Sequence, residues 1–251
     1  MTSLIGNFVN RVDFKSYKDF YDNFEFTVPK DFNFGFDVVD EYARIDPEKL
    51  ALIWCDDNEK KVFTFLDMKK LSNQAANLFK SQGINKGDAV LLTLKNRYEF
   101  WFCMVALHKI GAVAIPATHM LTTQDIVYRN NKADVKAIIC VGEEYVLTQV
   151  KNSLQESPTL KTLITIGPDV PEGFHDWHKE WDDAPAFVKP EKTNSNDDTM
   201  LVYFTSGTSG KPKMVAHDFL YAMGHLTTGV YWHNLDETSI HLTVADTGWG
   251  K

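Results

Sequence analysis

Short apolar runs alternate with amphipathic segments along residues 64–166, and this alternation is the feature that most restricts the fold. The runs AVLLTL, AVAIPA, KAIICV and KTLITIG have the length of buried strands, and the segments between them have the period of helices. The first helical segment runs from Thr64, a capping residue, to Gly83, a stop signal. The pattern predicts an α/β fold with mostly parallel sheets and helices on both faces.

The composition changes between residues 182 and 199, where the stretch DDAPAFVKPEKTNSNDDT is polar and contains two prolines. Such a stretch is typical of a connection between folded units. We therefore predict a first α/β subdomain with an amino-terminal extension over residues 1–182, a linker over 183–198, and the start of a second α/β subdomain over 199–251.

Composition and charge exclude several classes of protein. Hydrophobic residues make up 44% of the chain and charged residues 24%, as in folded soluble proteins. The formal net charge of -8 leaves no general basic field for a nucleic acid, and no apolar run is long enough to span a membrane. The three cysteines lie far apart in apolar runs, which predicts buried thiols and a reducing cytoplasm. His175 and His178 stand in HDWH without further ligands, so we predict no metal site.

The stretch YFTSGTSGKPKMVAHD, residues 203–218, follows the apolar run MLVYF with small hydroxyl residues, glycines and lysines. A loop at the carboxyl end of a strand is where α/β sheets bind ligands, and glycines let the backbone approach an anion. Residues 214–230 are expected to form a helix whose amino-terminal dipole favours the same anion. The alternative, a flexible linker rich in serine and glycine, fits polar neighbours better than the apolar strand found here.

Other phosphate and nucleophile loops do not fit this stretch. A Walker loop requires glycine where Pro212 stands, and a dinucleotide fingerprint requires glycine where Ser209 stands. A nucleophile elbow centred on Ser209 requires glycine at Lys211, and no serine in the loop is followed three places later by lysine. The stretch therefore predicts an anion cradle of another kind.

The string YFTSGTSGKPKMVAH resembles the phosphate-binding signature of the adenylate-forming superfamily, which includes acyl-CoA synthetases, luciferases and peptide-synthetase adenylation domains. The usual form is close to TSGTTGxPKG, so Ser209 keeps a hydroxyl and Met214 replaces a glycine. Segments such as NFGFDVVDEYAR, KGDAVLL and VADTGWG follow in the family's order from about residue 33. Met214 followed by His217 is similar to the short- and medium-chain acyl-CoA synthetase branch.

The resemblance implies that a carboxylic acid attacks MgATP to give an acyl-adenylate, which then reacts with the thiol of CoA. It also implies which residues bind ATP. Lys213 would supply the catalytic counter-charge, and Lys211, at the variable position of the signature, would be solvated. The residues implied to wrap the phosphates are Thr205, Ser206, Gly207, Thr208, Ser209 and Gly210.

The segment DTGWG, residues 246–250, follows the apolar run IHLTVA, which is expected to be a strand. The resemblance implies that this segment lines the acyl pocket with Trp249 as one wall, while a packed core tryptophan is the alternative. His217 and His225 fall on the helix expected after the loop, where packing contacts are favoured over catalysis.

The chain ends before the later motifs of the resembled family, including its hinge and the carboxyl-terminal domain with the catalytic lysine. We therefore expect an incomplete amino-terminal domain of a longer enzyme, inactive alone, with an open sheet edge that favours a homo-oligomer. Two alternatives stay open: an aryl-acid ligase or other adenylating enzyme, and a non-catalytic nucleotide-binding module.

Overall fold

Seven strands form one sheet in the computed structural model, which describes residues 3–181, 187–206 and 210–249. Two further strands pair with each other as a separate antiparallel hairpin. In chain order the strands are β1 (Leu50–Cys55), β2 (Lys60–Thr64), β3 (Ala89–Thr93), β4 (Val113–Pro116), β5 (Val135–Val141), β6 (Thr162–Ile166), β7 (His175–Asp176), β8 (Thr199–Thr205) and β9 (Lys213–Asp218).

Helices connect most of these strands, as the alternation of the sequence requires. The four longest helices pack on the large sheet. The helices are α1 (Tyr17–Asn23), α2 (Glu41–Ile45), α3 (Phe65–Ser81), α4 (Glu99–Ile110), α5 (Thr123–Ala133), α6 (Glu144–Ser153), α7 (Trp177–Trp181) and α8 (Tyr221–Thr227), with π-helical turns at Gly35–Asp40 and Thr228–Trp232.

The large sheet has the strand order β7-β6-β5-β3-β4-β8-β9. Every neighbouring pair is parallel except β8 with β9, which is antiparallel. The predicted α/β class with mostly parallel strands is therefore confirmed. Because β3, β4 and β8 are adjacent and parallel, their carboxyl ends meet at one edge of the sheet.

Strand β3 is buried along its whole length because helices cover both faces of the sheet. Val90 and Leu92 contribute to the core shared with α3 and α4, whereas Leu91 contributes to the core shared with α5 and α6. A continuous apolar run is what a strand covered on both faces requires. The apolar run AVLLTL thus correctly predicted a strand that is buried on both faces.

The helices that flank the site begin and end at specific signals. Thr64 and Thr122 each cap a helix in a capping box, in which the threonine hydroxyl accepts from the backbone N–H of the aspartate three residues later. Helix α4 ends at Gly111, whose φ of 72° places it in the left-handed region. A Cβ at Gly111 would lie 2.8 Å from the carbonyl oxygen of Thr193, so the position also requires glycine for space.

Two predictions about the end of the chain are wrong. Residues 213–218 form strand β9 instead of the start of a helix, because they fill the free edge of β8, and the helix α8 begins only at Tyr221. Residues 240–244 form no strand, and Ile240, Leu242 and Val244 are 73%, 83% and 93% exposed. Their alternating apolar pattern finds no strand partner within the described residues, so the pattern alone does not make them a strand.

The predicted division into subdomains stays a prediction. Strands β8 and β9, placed by that division in the second subdomain, join the same sheet as β3 to β6. The contact between β4 and β8 is a single parallel pair, Ala114 with Leu201. Of the three cysteines, Cys103 and Cys140 are buried as expected, whereas Cys55 is exposed at the end of β1.

Candidate functional site

The candidate site lies at the edge of the sheet where β3, β4 and β8 end. Three segments leave the sheet there: residues 94–96 after β3, 117–121 after β4, and 206–212 after β8. Residues 246–249 join them from further along the chain. The sheet order therefore gathers segments that are as much as 150 residues apart in sequence.

Residues 206–212 connect β8 to β9, and these two strands pair as an antiparallel hairpin. Thr205, the last residue of β8, pairs directly with Lys213, the first residue of β9. Directly opposed residues of an antiparallel pair carry their side chains on the same face, with Cβ atoms about 5 Å apart. The hairpin thus places the hydroxyl of Thr205 and the ammonium group of Lys213 side by side, and both residues are exposed.

Gly210 has a φ of 86°, and no atom of the described residues lies within 4 Å of the position that a Cβ would occupy. Glycine is therefore required at this position by backbone conformation and not by lack of space. Ser206, the other described residue on this side of the loop, is exposed. Gly207, Thr208 and Ser209, predicted to wrap phosphates, lie outside the described residues.

Tyr128 anchors the end of the loop, and sequence reasoning did not identify it. Its hydroxyl donates to the carbonyl oxygen of Pro212 at 2.9 Å, and the Nζ atom of Lys211 lies 5.4 Å from the centre of its ring. Tyr128 belongs to α5, so it reaches the loop only because β8 lies beside β4 in the sheet. No local signal in the sequence announces a contact of this kind.

The two lysines of the loop therefore differ in their surroundings. Lys211 contacts the face of Tyr128, an arrangement that favours a cation. Lys213 is exposed next to Thr205 at the mouth of the hairpin. The predicted role of Lys213 as counter-charge is compatible with this position and stays a prediction.

The turn of residues 246–249 docks on the carboxyl ends of β3 and β4. The hydroxyl of Thr247 donates to the carbonyl oxygen of Lys95, which lies two residues beyond β3 and has a φ of 54°. Gly248 lies against the backbone of Ala117 and Thr118, where an added Cβ would come within 2.2 Å of backbone atoms. Only glycine permits so close an approach.

Trp249 is 55% exposed, so the alternative of a packed core tryptophan does not describe it. Its backbone N–H donates to the carbonyl oxygen of Asp246 at 3.1 Å, which closes the turn. The turn brings Trp249 to the same edge of the sheet as the hairpin loop. Its predicted role as a wall of the acyl pocket stays a prediction.

His217 and His225 are packing residues around Tyr221. The rings of His217 and Tyr221 are 4.2 Å apart, and those of Tyr221 and His225 are 4.6 Å apart. His225 lies on a helix as predicted, but His217 lies on β9. Burial raises the pKa of the neighbouring Tyr203 to about 12, so this phenol stays protonated at neutral pH.

A cavity of about 780 Å³ lies elsewhere, among residues near the amino terminus, the first π-helical turn and α8. Its walls include Phe8, Phe32, Tyr42 and Met223 and are mostly apolar. None of the described residues of the hairpin loop or of the turn 246–249 lines it. We therefore place the candidate site at the sheet edge, where the hairpin carries Thr205, Gly210 and Lys213.

Metal ligands were not predicted from the sequence. Within residues 3–181, 187–206 and 210–249, no group of three or more His, Cys, Asp or Glu side chains is arranged to hold a metal ion. His175, one of the two histidines of HDWH, lies 2.9 Å from a carboxylate oxygen of Glu180 instead. No helix of the described part of the chain is long and apolar enough to cross a membrane.

The family model described as AMP-binding enzyme matches residues 39–250, which is more than half of the chain. The chain is a member of the AMP-binding enzyme family. The resemblance carried by the hairpin loop is thereby confirmed. The match also includes the turn of residues 246–249, so both segments of the candidate site lie within the AMP-binding family region.

Several curated acyl-coenzyme A synthetases are similar to this AMP-binding chain. Acyl-coenzyme A synthetase ACSM4, mitochondrial, of Mus musculus is 34% identical over 232 residues, covering 89% of this chain and 40% of the relative. Acyl-coenzyme A synthetase ACSM3, mitochondrial, of Pongo abelii is 30% identical over 247 residues, covering 95% and 42%. The chain thus spans about two fifths of the length of these relatives.

These relatives correct one prediction. The synthetases ACSM3, ACSM4 and ACSM5 are all described as mitochondrial, so the predicted cytoplasmic location is wrong. The prediction depended on the cysteine pattern. That pattern does not distinguish one compartment from another, because a buried thiol acts as a small hydrophobic side chain in any of them.

Two solved structures share the fold. The anthranilate CoA ligase AuaEII, solved in complex with anthranoyl-AMP, matches with a TM-score of 0.73 and 21% identity over 81% of this chain and 38% of the ligase. The acyl-CoA synthetase of Brucella canis matches with a TM-score of 0.73 and 24% identity over 87% of this chain and 39% of the synthetase. At such identities the likeness shows the fold alone.

Proposed function

We propose that the chain supplies the phosphate-binding part of an ATP-dependent carboxylate–CoA ligase that acts on a short- or medium-chain fatty acid. The observation that carries the proposal is the hairpin that sets Thr205 beside Lys213, at the same edge of the sheet as the turn of residues 246–249. Membership of the AMP-binding enzyme family and the similarity to acyl-coenzyme A synthetases support it.

The proposed reaction has two steps. A carboxylate oxygen attacks the α-phosphorus of ATP, the bond to the bridging oxygen of the β-phosphate breaks, and pyrophosphate leaves. The sulfur of CoA then attacks the acyl carbon, the thioester forms, and AMP leaves with the former carboxylate oxygen while the thiol proton passes to solvent. The first step brings two anions together, so it depends on positive groups and N–H donors around the phosphates.

Each part of the site has a role in this proposal. The ammonium group of Lys213 neutralises charge that develops on the departing pyrophosphate, and the hydroxyl of Thr205 donates to a phosphate oxygen from the same face of the hairpin. Gly210 gives the loop the backbone conformation it needs to curve around the anion. Ser206, Gly207, Thr208 and Ser209 complete the cradle, and Trp249 forms a wall of the acid pocket.

Mg²⁺ is part of the proposal only as a companion of ATP. Bound to the triphosphate, it would neutralise negative charge on the phosphate oxygens. The described residues hold no cluster of metal ligands, so we assign no residue of this chain to the ion. The roles of Thr205 and Lys213 do not depend on it.

The test is carboxylate-dependent exchange between ATP and pyrophosphate, measured on the product of the full natural reading frame with acids from acetate to decanoate and with benzoate. We expect exchange with a straight-chain acid of short or medium length and strong loss of exchange in the Lys213→Ala variant. Exchange with benzoate alone would favour an aryl-acid ligase. Binding of ATP without exchange for any acid would favour a non-catalytic nucleotide-binding module.

A second test concerns the chain alone. Because the chain spans about two fifths of its relatives, we propose that residues 1–251 bind ATP weakly and have little or no ligase activity by themselves. Residues that anchor the adenine and ribose contribute much of the affinity for such a ligand. Calorimetry with ATP on both forms checks this, and equal affinity would contradict it.

A further inference from the structure

The carboxylate of Asp246 connects the turn of residues 246–249 to the segment that follows β4. One oxygen, Oδ1, accepts from the backbone N–H of Gly248 at 2.7 Å and so holds the turn in shape. The other oxygen, Oδ2, lies 3.5 Å from the Nδ1 atom of His119, three residues beyond the end of β4. A single side chain therefore faces both the turn and its docking surface.

The Nδ1 atom of His119 is buried and has no hydrogen-bond partner among the residues that the structure describes, although the side chain as a whole is 29% exposed. A buried polar nitrogen without a partner costs free energy, and an oxygen of the Asp246 carboxylate lies 3.5 Å from it. A ring that carries a proton on Nδ1 can donate to this carboxylate after a shift of a few tenths of an ångström. The pair is thus set to form a charge-assisted hydrogen bond.

Two further contacts of the turn with the sheet edge, made by Thr247 and Gly248, involve no charged side chain. Thr247 bonds to the carbonyl oxygen of Lys95 beyond β3, and Gly248 packs on the backbone of Ala117 and Thr118. Both contacts hold the centre of the turn. The contact between His119 and Asp246 lies at the first residue of the turn, whose carbonyl oxygen accepts from the backbone N–H of Trp249.

We infer that His119 is a positioning residue that latches the turn of residues 246–249 to the carboxyl end of β4 and so fixes Trp249 as a wall of the acid pocket. The inference rests on the proposed function. We assign His119 no contact with ATP or with the acid, since its role is exerted through Asp246 and the turn. Its loss should therefore affect binding of the acid and leave binding of ATP unchanged.

The first test compares three substitutions of His119 in the full-length enzyme. An asparagine amide nitrogen takes nearly the place of Nδ1, whereas the glutamine amide nitrogen takes that of Nε2. We expect His119→Leu and His119→Gln to raise KM for the acid about tenfold, as for loss of one charge-assisted hydrogen bond, with KM for ATP unchanged. His119→Asn should restore a KM near that of the unsubstituted enzyme.

The matched control is His178→Leu, since His178 is an exposed histidine on α7. Unchanged KM for the acid in His119→Leu, or equal effects of the asparagine and glutamine variants, would overturn the inference. If a His119 variant fails to fold, Asp246→Ala removes the contact from the other side, together with the bond from the N–H of Gly248, and should raise KM at least as much.

The second test needs no catalysis. Hydrogen exchange by mass spectrometry on a peptide that covers residues 244–249 reports the backbone N–H groups of Gly248 and Trp249, which are bonded within the turn. We expect faster exchange in His119→Leu but not in His119→Asn. Gly248→Ala should show the amide exchange rate of a fully undocked turn, because its methyl group has no room against the backbone of Ala117 and Thr118. Gly224→Ala should leave the exchange rate of residues 244–249 unchanged, because no described atom lies within 4 Å of the added methyl group.

The two tests separate failure of this inference from failure of the proposed function. If the unsubstituted enzyme shows no exchange of pyrophosphate with any acid, the proposed function is wrong, and the amide exchange still reports the latch. If the enzyme is active but amide exchange in residues 244–249 is the same in His119→Leu and the unsubstituted protein, the latch is wrong.

Discussion

Lys213 and Lys211 are two residues apart, yet they have different neighbours. Lys213 faces Thr205 across the hairpin, and Lys211 contacts the ring of Tyr128. We expect Lys213→Ala in the full-length enzyme to lower the rate of adenylation by about 10²-fold or more, since it removes charge stabilisation from the transition state. Single-turnover formation of the acyl-adenylate measures this effect.

Lys211→Ala is the control for that experiment, because it removes the same charge from the same loop. It should lower the rate by less than about tenfold, as expected for a partly solvated cation on an aromatic ring. Equal losses in the two variants would refute the assignment of the counter-charge to Lys213.

Tyr128 offers a second prediction about a single residue. Tyr128→Phe keeps the ring under Lys211 but removes the bond from the hydroxyl to the carbonyl oxygen of Pro212. We expect a loss of about 1 kcal/mol in the free energy of unfolding, as for one partly buried hydrogen bond, together with a raised KM for ATP because the loop end is less fixed. Urea unfolding measures the loss of stability, and the kinetics of ATP–pyrophosphate exchange measure KM for ATP.

Tyr145→Phe is the matched control for Tyr128→Phe, because the hydroxyl of Tyr145 lies 3.5 Å from the carbonyl oxygen of Met120 in an exposed contact. It should change neither quantity. A KM for ATP that stays constant in Tyr128→Phe would show that the loop is held by its strands alone.

The residues of the loop could be read from the sequence, whereas those that surround it could not. Glycines and hydroxyl side chains after an apolar strand have a local meaning, so Gly210 and Thr205 were found. Tyr128, Lys95 and His119 reach the site through the order of strands in the sheet. The sequence around these residues does not predict the strand order, because which parallel strands lie side by side depends on packing of the whole sheet.

At the level of elements, the capping boxes of α3 and α5 allow a direct test. Thr64 and Thr122 each satisfy a backbone N–H at the start of a helix. We expect Thr64→Ala and Thr122→Ala each to lower the free energy of unfolding by about 1 kcal/mol. Chemical denaturation of the full-length protein measures the loss.

Serine is the conservative replacement at both positions, since it keeps the hydroxyl that accepts the bond. Thr64→Ser and Thr122→Ser should restore most of the lost stability. If alanine and serine give the same stability, the caps contribute nothing and the helices are held by packing alone.

Elements with strong local signals were predicted with nearly their observed bounds. Helices α3 to α5 have a threonine cap or a glycine stop, and strands β3 to β6 are mostly apolar runs. The errors lie after residue 213, where the sequence is ambiguous. The stretch KMVAHD is short enough to suit either state, and pairing with β8 decides for a strand.

At the level of the whole molecule, Glu237 joins parts of the chain that are far apart in sequence. It accepts from the hydroxyls of Ser3 and Tyr42 and pairs with Lys49 at 3.2 Å. Burial alone would raise the pKa of Glu237, but the hydrogen bonds from Ser3, Tyr42 and Lys49 outweigh it and lower the pKa below its ordinary value of 4.5.

This shift predicts a pH dependence of stability. Because the folded state holds the carboxylate ionised, its contribution is complete above the unfolded pKa of 4.5 and is lost as the pH falls through the lower folded pKa. We expect Glu237→Gln to destabilise the protein by on the order of 1 kcal/mol at about pH 7, and by progressively less as the pH falls below 4.5 towards about pH 3. Urea unfolding over this pH range measures the difference.

Glu156→Gln serves as the comparison, since Glu156 is exposed at the end of a 3₁₀ turn, away from the cluster around Glu237. Its effect should be small and independent of pH. A difference between Glu237→Gln and the unsubstituted protein that is the same at both pH values would contradict the role of the ionised carboxylate.

The edge strand β9 gives a further prediction for the whole molecule. It is the last strand of the sheet order, and five of its six residues are exposed. An uncovered strand edge can pair with a second copy of the chain, so we expect residues 1–251 alone to self-associate. Light scattering over a concentration series tests this, and a monodisperse monomer would contradict it.

The β8–β9 hairpin also has a consequence for how such a site can change over time. Because Thr205 and Lys213 are paired, residues 206–212 begin and end at neighbouring points, and the cost of closing the loop is met by the strands. An insertion, deletion or replacement within the loop therefore leaves the pairing of β8 and β9 intact. The loop can therefore change in sequence and length during evolution without a change in the sheet. Related chains can gain or lose affinity for an anion in this way.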